Sequence, residues 1–327
     1  MTQAEPPSPD SPAPLSRLAL IPVTAPEAQA WLKDITHIYT DLDGTLLAPG
    51  GRLLTSHDGT PSTATAEALV ALRRAGIEVI IVTGRNGTQG HELLRILNLT
   101  TFIGELGCLV MEGFGATAHI TYELGDWAEV VLAEGLAPGT LPKETTPYQL
   151  IQNSGAIDRL LAAFPGRLEP HLPYPNERMV THALRGFVDA QAVEQLLARE
   201  QLPLRLVDNG EIHPQAHTLV NCPEIHIYHL MPSGVSKASA IATDIARRGL
   251  SPKQALAIGD AKADMEMGEH TGALVVLANA LRSAAVQDTL LCRAAKGSVT
   301  LRTEAPTADG WAEFACALLA ARQKAAE

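Results

Sequence analysis

The chain has 327 residues, 46% of them hydrophobic but only 4% aromatic, with a formal net charge of -11. That supplies apolar material for roughly two mainly aliphatic domains of about 150 residues each. There is no basic block of the kind that marks a nucleic-acid footprint, no apolar run of the ~18 residues that span a bilayer, and no CxxC among the four scattered cysteines. A cytoplasmic protein with neither nucleic-acid nor membrane partners is expected.

The start, "MTQAEPPSPDSPAPLSR", lacks a basic segment followed by an apolar one. Its Pro, Ser and Ala predict an unstructured lead-in over residues 1–30. "HIYTDLD" (His37 to Asp43) predicts a strand running into a loop. Gly50 to Ser62 is rich in turn formers and fits a small hairpin. Ser62 to Gly76 has Leu69, Leu72 and alanines at helical spacing and a closing glycine. "IEVIIVTGRN" predicts a buried parallel strand, "GTQGHELLRILNL" a helix and "TFIGELGCLVM" a further strand region. Strand and helix thus alternate from Ile38 to Met111, the pattern of a doubly wound, Rossmann-like α/β sheet.

The character changes over 113–222. Short strands ("ATAHITYEL", "RMVTHAL", "LRLVD") and amphipathic helices ("YQLIQNSGAIDRLLAAF", "DAQAVEQLLARE") are broken by Pro and Gly, as in an inserted α+β domain. Alternation then resumes. "EIHIYHL" predicts a strand, "GVSKASAIATDIARRG" a helix, "QALAIGD" a strand ending in Asp260, "ALVVLAN" another strand and "GWAEFACALLAARQKAA" a closing helix. The expected organisation is an α/β core from 31–112 and 223–327 with a domain spliced between.

Polar stations stand at the expected strand ends: Asp41 with Asp43, Thr83, the helix start at Lys237, and Asp260 with Asp264. In open parallel sheets ligands gather at the carboxyl ends of strands. The carboxylates are hard oxygen donors carrying too much negative charge to stand together unpaired, and such a set suits Mg²⁺. Thr83 and Lys237 offer a hydroxyl and a cation to a phosphoryl group. One carboxylate beside a phosphate can act as nucleophile and a second can move the proton. Alone, each station has an ordinary explanation: a strand-end turn, a β-branched residue or a solvated helix position. Together and in order they do not. The histidines His213, His217, His226 and His229 make a poor zinc set, because His226 and His229 fall on opposite faces of a strand.

These residues resemble the motifs of the haloacid dehalogenase (HAD) superfamily of phosphatases, in its Cof-like branch. "DLDGT" (41–45) is similar to the first motif, "IIVTGR" (80–85) to the second, "GVSKASAI" (234–241) to the third, and "AIGDAKADMEM" (257–267) to the fourth. "LANA" (277–280) resembles the stretch that follows, and the insert resembles a C2-type cap. The resemblance implies Asp41 as nucleophile and Asp43 as general acid and base. It implies Mg²⁺ on Asp41, Asp43 (through its backbone carbonyl), Asp260 and Asp264, and a phosphoryl group on Thr83, Gly84 and Lys237. Arg85, Asn86 and Glu105, just past strand ends, are candidates for substrate contacts; Arg178 and His182 are further candidates in the cap. Two positions depart from the pattern: Ala263 and Leu106 stand where Asn is common. The implied activity is hydrolysis of a small phosphorylated metabolite, first of all a sugar phosphate, through an aspartyl-phosphate. A mutase or phosphotransferase using the same intermediate, and a silent binding module on this fold, are the alternatives.

Overall fold

The computed structural model describes residues 18–136, 145–172 and 177–326. The start through residue 17, most of "LAPGTLP" and the centre of "HLPYPNE" lie outside them. In chain order, β1 (Ile21–Pro22), β2 (His37–Thr40) and β3 (Glu78–Val82) come first. They are followed by β4 (Thr101–Gly104), β5 (Leu109–Glu112) and β6 (His119–Tyr122). Next come β7 (Leu168–Pro170), β8 (His182–Gly186), β9 (Leu204–Glu211) and β10 (His226–Pro232). The last strands are β11 (Ala255–Gly259), β12 (Ala273–Val276) and β13 (Thr300–Arg302).

The chain divides into two compact units, 1–82 with 241–327, and 83–240. In the first, β1, β13, β12, β11, β2 and β3 lie side by side in that order, every pair parallel. This is the expected doubly wound α/β sheet. Its strands are continuous apolar runs because a parallel sheet is covered on both faces; Ile38, Tyr39, Ile80, Ile81, Leu256, Ile258 and Leu274 are wholly buried. The C-terminal helix Thr307–Ala326 packs on helices Ala64–Arg74 and Gln29–Leu32, and Ala284–Ala295 packs on Lys262–Met265. The buried Tyr39 hydroxyl donates to Asp244 Oδ2 at 2.8 Å. Arg248 closes this network, bonding both Asp244 and Glu78. Between β2 and Ala64, antiparallel bridges Ala48↔Arg52 and Thr55↔Pro61 make two small turns, where one hairpin over Gly50 to Ser62 was expected.

In the second unit β4, β5 and β6 form an antiparallel ladder. A separate four-stranded antiparallel sheet runs in the order β7-β8-β10-β9. Helices Pro147–Asn153 and Ala156–Ala163, broken at Ser154–Gly155, and Ala190–Arg199 bury Ile151, Ile157, Leu160, Val193 and Leu197 with it.

Two further expectations are corrected. The lead-in predicted to be unstructured through residue 30 is packed from Leu18 onward: Leu18, Val23 and Ala28 are buried and Ile21–Pro22 pairs with β13. Prolines at a sheet edge and a helix start are tolerated, since neither place needs their missing N–H. The strand "EIHIYHL" does not resume the parallel sheet. β10 is a central antiparallel strand between β8 and β9. It follows β9 without a helix, and only an antiparallel return can be made without a crossover.

Candidate active site

The pairing of β2 with β11 builds the acidic centre. Thr40 faces Ile258, and the Asp41 amide donates to the Ile258 carbonyl at 2.9 Å. Asp41 and Asp260 therefore leave neighbouring parallel strands side by side. Asp264 joins them from one turn into the following helix. The three present carboxylate oxygens within 4.8 Å of one another, and this is the group of possible metal donors found among the described residues. Asp41 and Asp264 are buried and Asp260 is half-buried. Asp43 has an exposed side chain, while its backbone pairs with Leu47 in the turn.

The Asp264 and Asp260 carboxylates are held by identifiable groups. Asp264 Oδ2 accepts from the Asp260 amide at 3.1 Å and the Ala261 amide at 2.9 Å. It lies so close to Gly259 that a Cβ there would sit 2.3 Å from its own Cβ, so only glycine lets the carboxylate tuck under the strand end. Thr45 Oγ1 donates to Asp260 Oδ1 at 2.8 Å. Asn279 Nδ2 donates to Asp260 Oδ2 at 2.8 Å and to the Gly44 carbonyl at 3.2 Å, and its Oδ1 accepts from the Thr307 amide at 2.9 Å. Gly44 has φ +86, and a Cβ there would stand 2.7 Å from Asp260 Oδ2. On the buried side of Asp41, Trp311 Nε1–H donates to Thr40 Oγ1 at 3.0 Å, and that hydroxyl donates to the Asp41 carbonyl at 2.7 Å. The backbone carrying Asp41 is fixed from both sides.

The remaining candidates lie in the second unit, around the turn Glu105–Gly107. Leu106 N–H donates to the Thr83 carbonyl at 3.0 Å, and Glu105 N–H to the Arg85 carbonyl at 2.9 Å. A Cβ on Gly107 would meet the Ser236 carbonyl at 2.3 Å and the Lys237 nitrogen at 3.1 Å. Thr83 and the helix start at Lys237 thus flank one tight turn, in which Glu105, Leu106 and Gly107 all have positive φ. Ser236 and Ser239 cap that helix reciprocally, and Lys237 is buried. Gly84 exposes its carbonyl to Arg178 at 3.1 Å. Asn86 caps the helix Gly87–Leu97 in a capping box with Gln89, and Arg85 is half-buried beside it.

Glu105 is wholly buried and filled by its own chain. Oε1 accepts from Met179 N–H at 2.7 Å; Oε2 accepts from Val180 N–H at 3.1 Å, Thr181 N–H at 2.7 Å and Thr181 Oγ1 at 3.0 Å. His182 stacks on Tyr148 at 3.7 Å and donates Nε2–H to the Tyr148 carbonyl at 3.0 Å. Burial lowers its pKa to about 4.

The model of the haloacid dehalogenase-like hydrolases matches residues 38–122 and 209–290, just over half of the chain. The chain belongs to this family. A phosphoglycolate phosphatase of Methanoculleus marisnigri is 25% identical over 245 residues, which is 74% of this chain and 84% of that protein. Among solved structures, the sucrose-phosphatase of Synechocystis in complex with sucrose and phosphate aligns over 88% of this chain and 98% of its own, with 15% identity and a TM-score of 0.53. A HAD/COF-like hydrolase of Plasmodium vivax aligns over 91% of this chain and 99% of its own, with 15% identity and a TM-score of 0.52. At these identities the structures show a shared fold.

Thr45 and Asn279 join this chain's acidic centre without having been singled out from the sequence. The signal for both was present, in the last residue of "DLDGT" and in "LANA". What the sequence lacks is the geometry that aims a hydroxyl and an amide at the two oxygens of one aspartate.

Proposed function

We propose that this hydrolase is a Mg²⁺-dependent phosphatase that hydrolyses a small phosphorylated metabolite through an aspartyl-phosphate on Asp41. The observation that carries the reading is the trio Asp41, Asp260 and Asp264 within 4.8 Å. Three carboxylates at that spacing repel one another unless a cation is shared. The donors are hard oxygens, which fit Mg²⁺ rather than a soft metal. Asp41, the Asp43 carbonyl, Asp260 and Asp264 would hold it, with Thr45 and Asn279 orienting Asp260. The ion would supply positive charge to the phosphoryl oxygens.

The protein's own residues do the rest. An Asp41 carboxylate oxygen attacks phosphorus as the bond to the substrate's ester oxygen breaks. Asp43 as the acid gives its proton to the departing alkoxide. The resulting Asp43 carboxylate then takes a proton from the water that attacks the aspartyl-phosphate, which releases phosphate and restores Asp41. The Thr83 hydroxyl, the Gly84 amide and Lys237 hold the phosphoryl group. The inserted domain, which holds the sheet β7-β8-β10-β9 and so runs past residue 222 through Pro232, acts as the cap that reads the leaving group and excludes bulk water. Relatives named for phosphoglycolate and for sucrose phosphate support a small phosphorylated substrate, and a cytoplasmic setting fits it.

The test is phosphate release across a panel of phosphometabolites with and without Mg²⁺. The wild type is expected to turn over with Mg²⁺, and Asp41→Asn to be inactive with its fold intact. Release of an isomer with little free phosphate would make the chain a mutase. Absence of turnover across the whole panel would leave the fold as a binding module.

A further inference from the structure

Gly84 faces a small wall of unlike side chains, all within the second unit. A methyl built on it would stand 3.4 Å from Asn209 Nδ2, 3.4 Å from Leu106 Cδ2 and 3.8 Å from His229 Nε2. Its carbonyl accepts from Arg178 Nη2 at 3.1 Å. Asn209 is exposed, so the wall reaches solvent. Leu106 and His229 are buried.

Arg178 is the unusual member of this wall. A guanidinium has five N–H groups. One goes to Gly84 and one to Thr181 Oγ1 at 2.9 Å, and both acceptors are neutral. The Nε–H is buried and has no partner among the described residues. Glu105, the carboxylate whose field acts on Arg178, does not bond it; its two oxygens are filled by residues 179–181. The cation is felt nearby: burial first, and then Arg178, keep His182 and His229 uncharged. A largely buried cation with its Nε–H unfilled is costly unless an acceptor arrives to meet it.

We propose that Arg178 determines specificity in a leaving-group subsite beside Gly84, and that the group it takes is the carboxylate of a short phosphorylated hydroxy acid. The inference rests on the phosphatase reading, which puts the phosphoryl group one residue away on Thr83. A guanidinium fork matches a carboxylate with two parallel N–H···O bonds. Leu106 gives an apolar face to the one or two carbons between ester oxygen and carboxylate. A polyol could meet Asn209 and His229, but it would bring no negative charge to the guanidinium, where a carboxylate makes the stronger charge-assisted pair.

The experiment compares 2-phosphoglycolate with 2-hydroxyethyl phosphate, which carries a hydroxymethyl group where the first has a carboxylate. Wild-type kcat/KM is expected to favour the carboxylate by about 100-fold or more. In Arg178→Gln the ratio of the two kcat/KM values falls towards one. Because both substrates share the same phosphoryl chemistry, the ratio does not respond to a general loss of activity. A wild-type ratio near one, or a ratio that survives Arg178→Gln, overturns the proposal. So does hydrolysis of p-nitrophenyl phosphate without either of the pair. Failure on all three substrates overturns the phosphatase reading instead. If Arg178→Gln does not fold, Arg178→Lys keeps the charge without the fork; a drop in the ratio of about tenfold or more supports the proposal and an unchanged ratio refutes it.

Discussion

Glu105→Gln separates a structural role for this carboxylate from a role in touching substrate. The four donors on Glu105 comprise three successive backbone amides and one hydroxyl. A glutamine keeps the volume but replaces one acceptor oxygen with an NH₂. The less costly orientation points that NH₂ at the Met179 amide, where the single bond of 2.7 Å is lost and two donors face each other. One charge-assisted hydrogen bond lost in a buried site costs about 1.5–3 kcal/mol. With the charge removed from the other three bonds, a total of about 2–5 kcal/mol is expected. For a unit the size of 83–240 this lowers Tm by roughly 4–20 °C. The assay is calorimetry on the intact chain, paired with KM on an aryl phosphate. A variant as stable as wild type with a raised KM would refute the structural role and return Glu105 to the substrate contacts.

Asn279→Ala removes an amide from Asp260 and from the Gly44 carbonyl. The Mg²⁺ concentration needed for half-maximal activity is expected to rise by about 10–100-fold, and a titration with unchanged midpoint would refute its orienting role. Gly44→Ala puts a Cβ 2.7 Å from Asp260 Oδ2 at φ +86. A cost of about 1–2 kcal/mol for the left-handed backbone, with added crowding of Asp260, should lower both denaturant midpoint and kcat; a variant equal to wild type in both would count against the turn geometry. His182 titrates at about 4 in the folded protein against its ordinary 6.5. Because the folded state takes up the proton less readily than the unfolded state, this contribution is fully present above pH 6.5 and is lost as pH falls through 4. Its size is about 3 kcal/mol. Urea midpoints of wild type should therefore fall more steeply between pH 7 and 4 than those of His182→Gln, and parallel curves would contradict this.

Much of the fold was legible because its strands are either long apolar runs or end in turn residues. β2, β3, β11 and β12 fall where "HIYT", "EVIIV", "ALAIG" and "ALVV" predict them. The acidic trio was legible because one parallel pairing, β2 with β11, suffices to join residues far apart in sequence. β10 was misplaced because "EIHIYHL" has the composition of a core strand; whether it pairs parallel or antiparallel depends on the connection before it, which carries no helix. The two-residue β1 edge strand was hidden by its proline, and β13 is only three residues long. For Glu105 and Arg178, sequence gave the residue types but not the partners. Glu105's partners lie on the segment 179–181, and Arg178 reaches Gly84 and Thr181, contacts made by tertiary packing alone.

In the proposed reaction Asp41 carries the phosphoryl group. The most direct test is rapid quenching of wild-type enzyme during turnover, reduction with borohydride, and mass spectrometry of the peptide spanning "YTDLDGT". Asp41 alone is expected to be converted to homoserine, through reduction of an aspartyl-phosphate, and the signal to disappear without substrate. Conversion at another residue, or full turnover by Asp41→Asn, would contradict this role of Asp41.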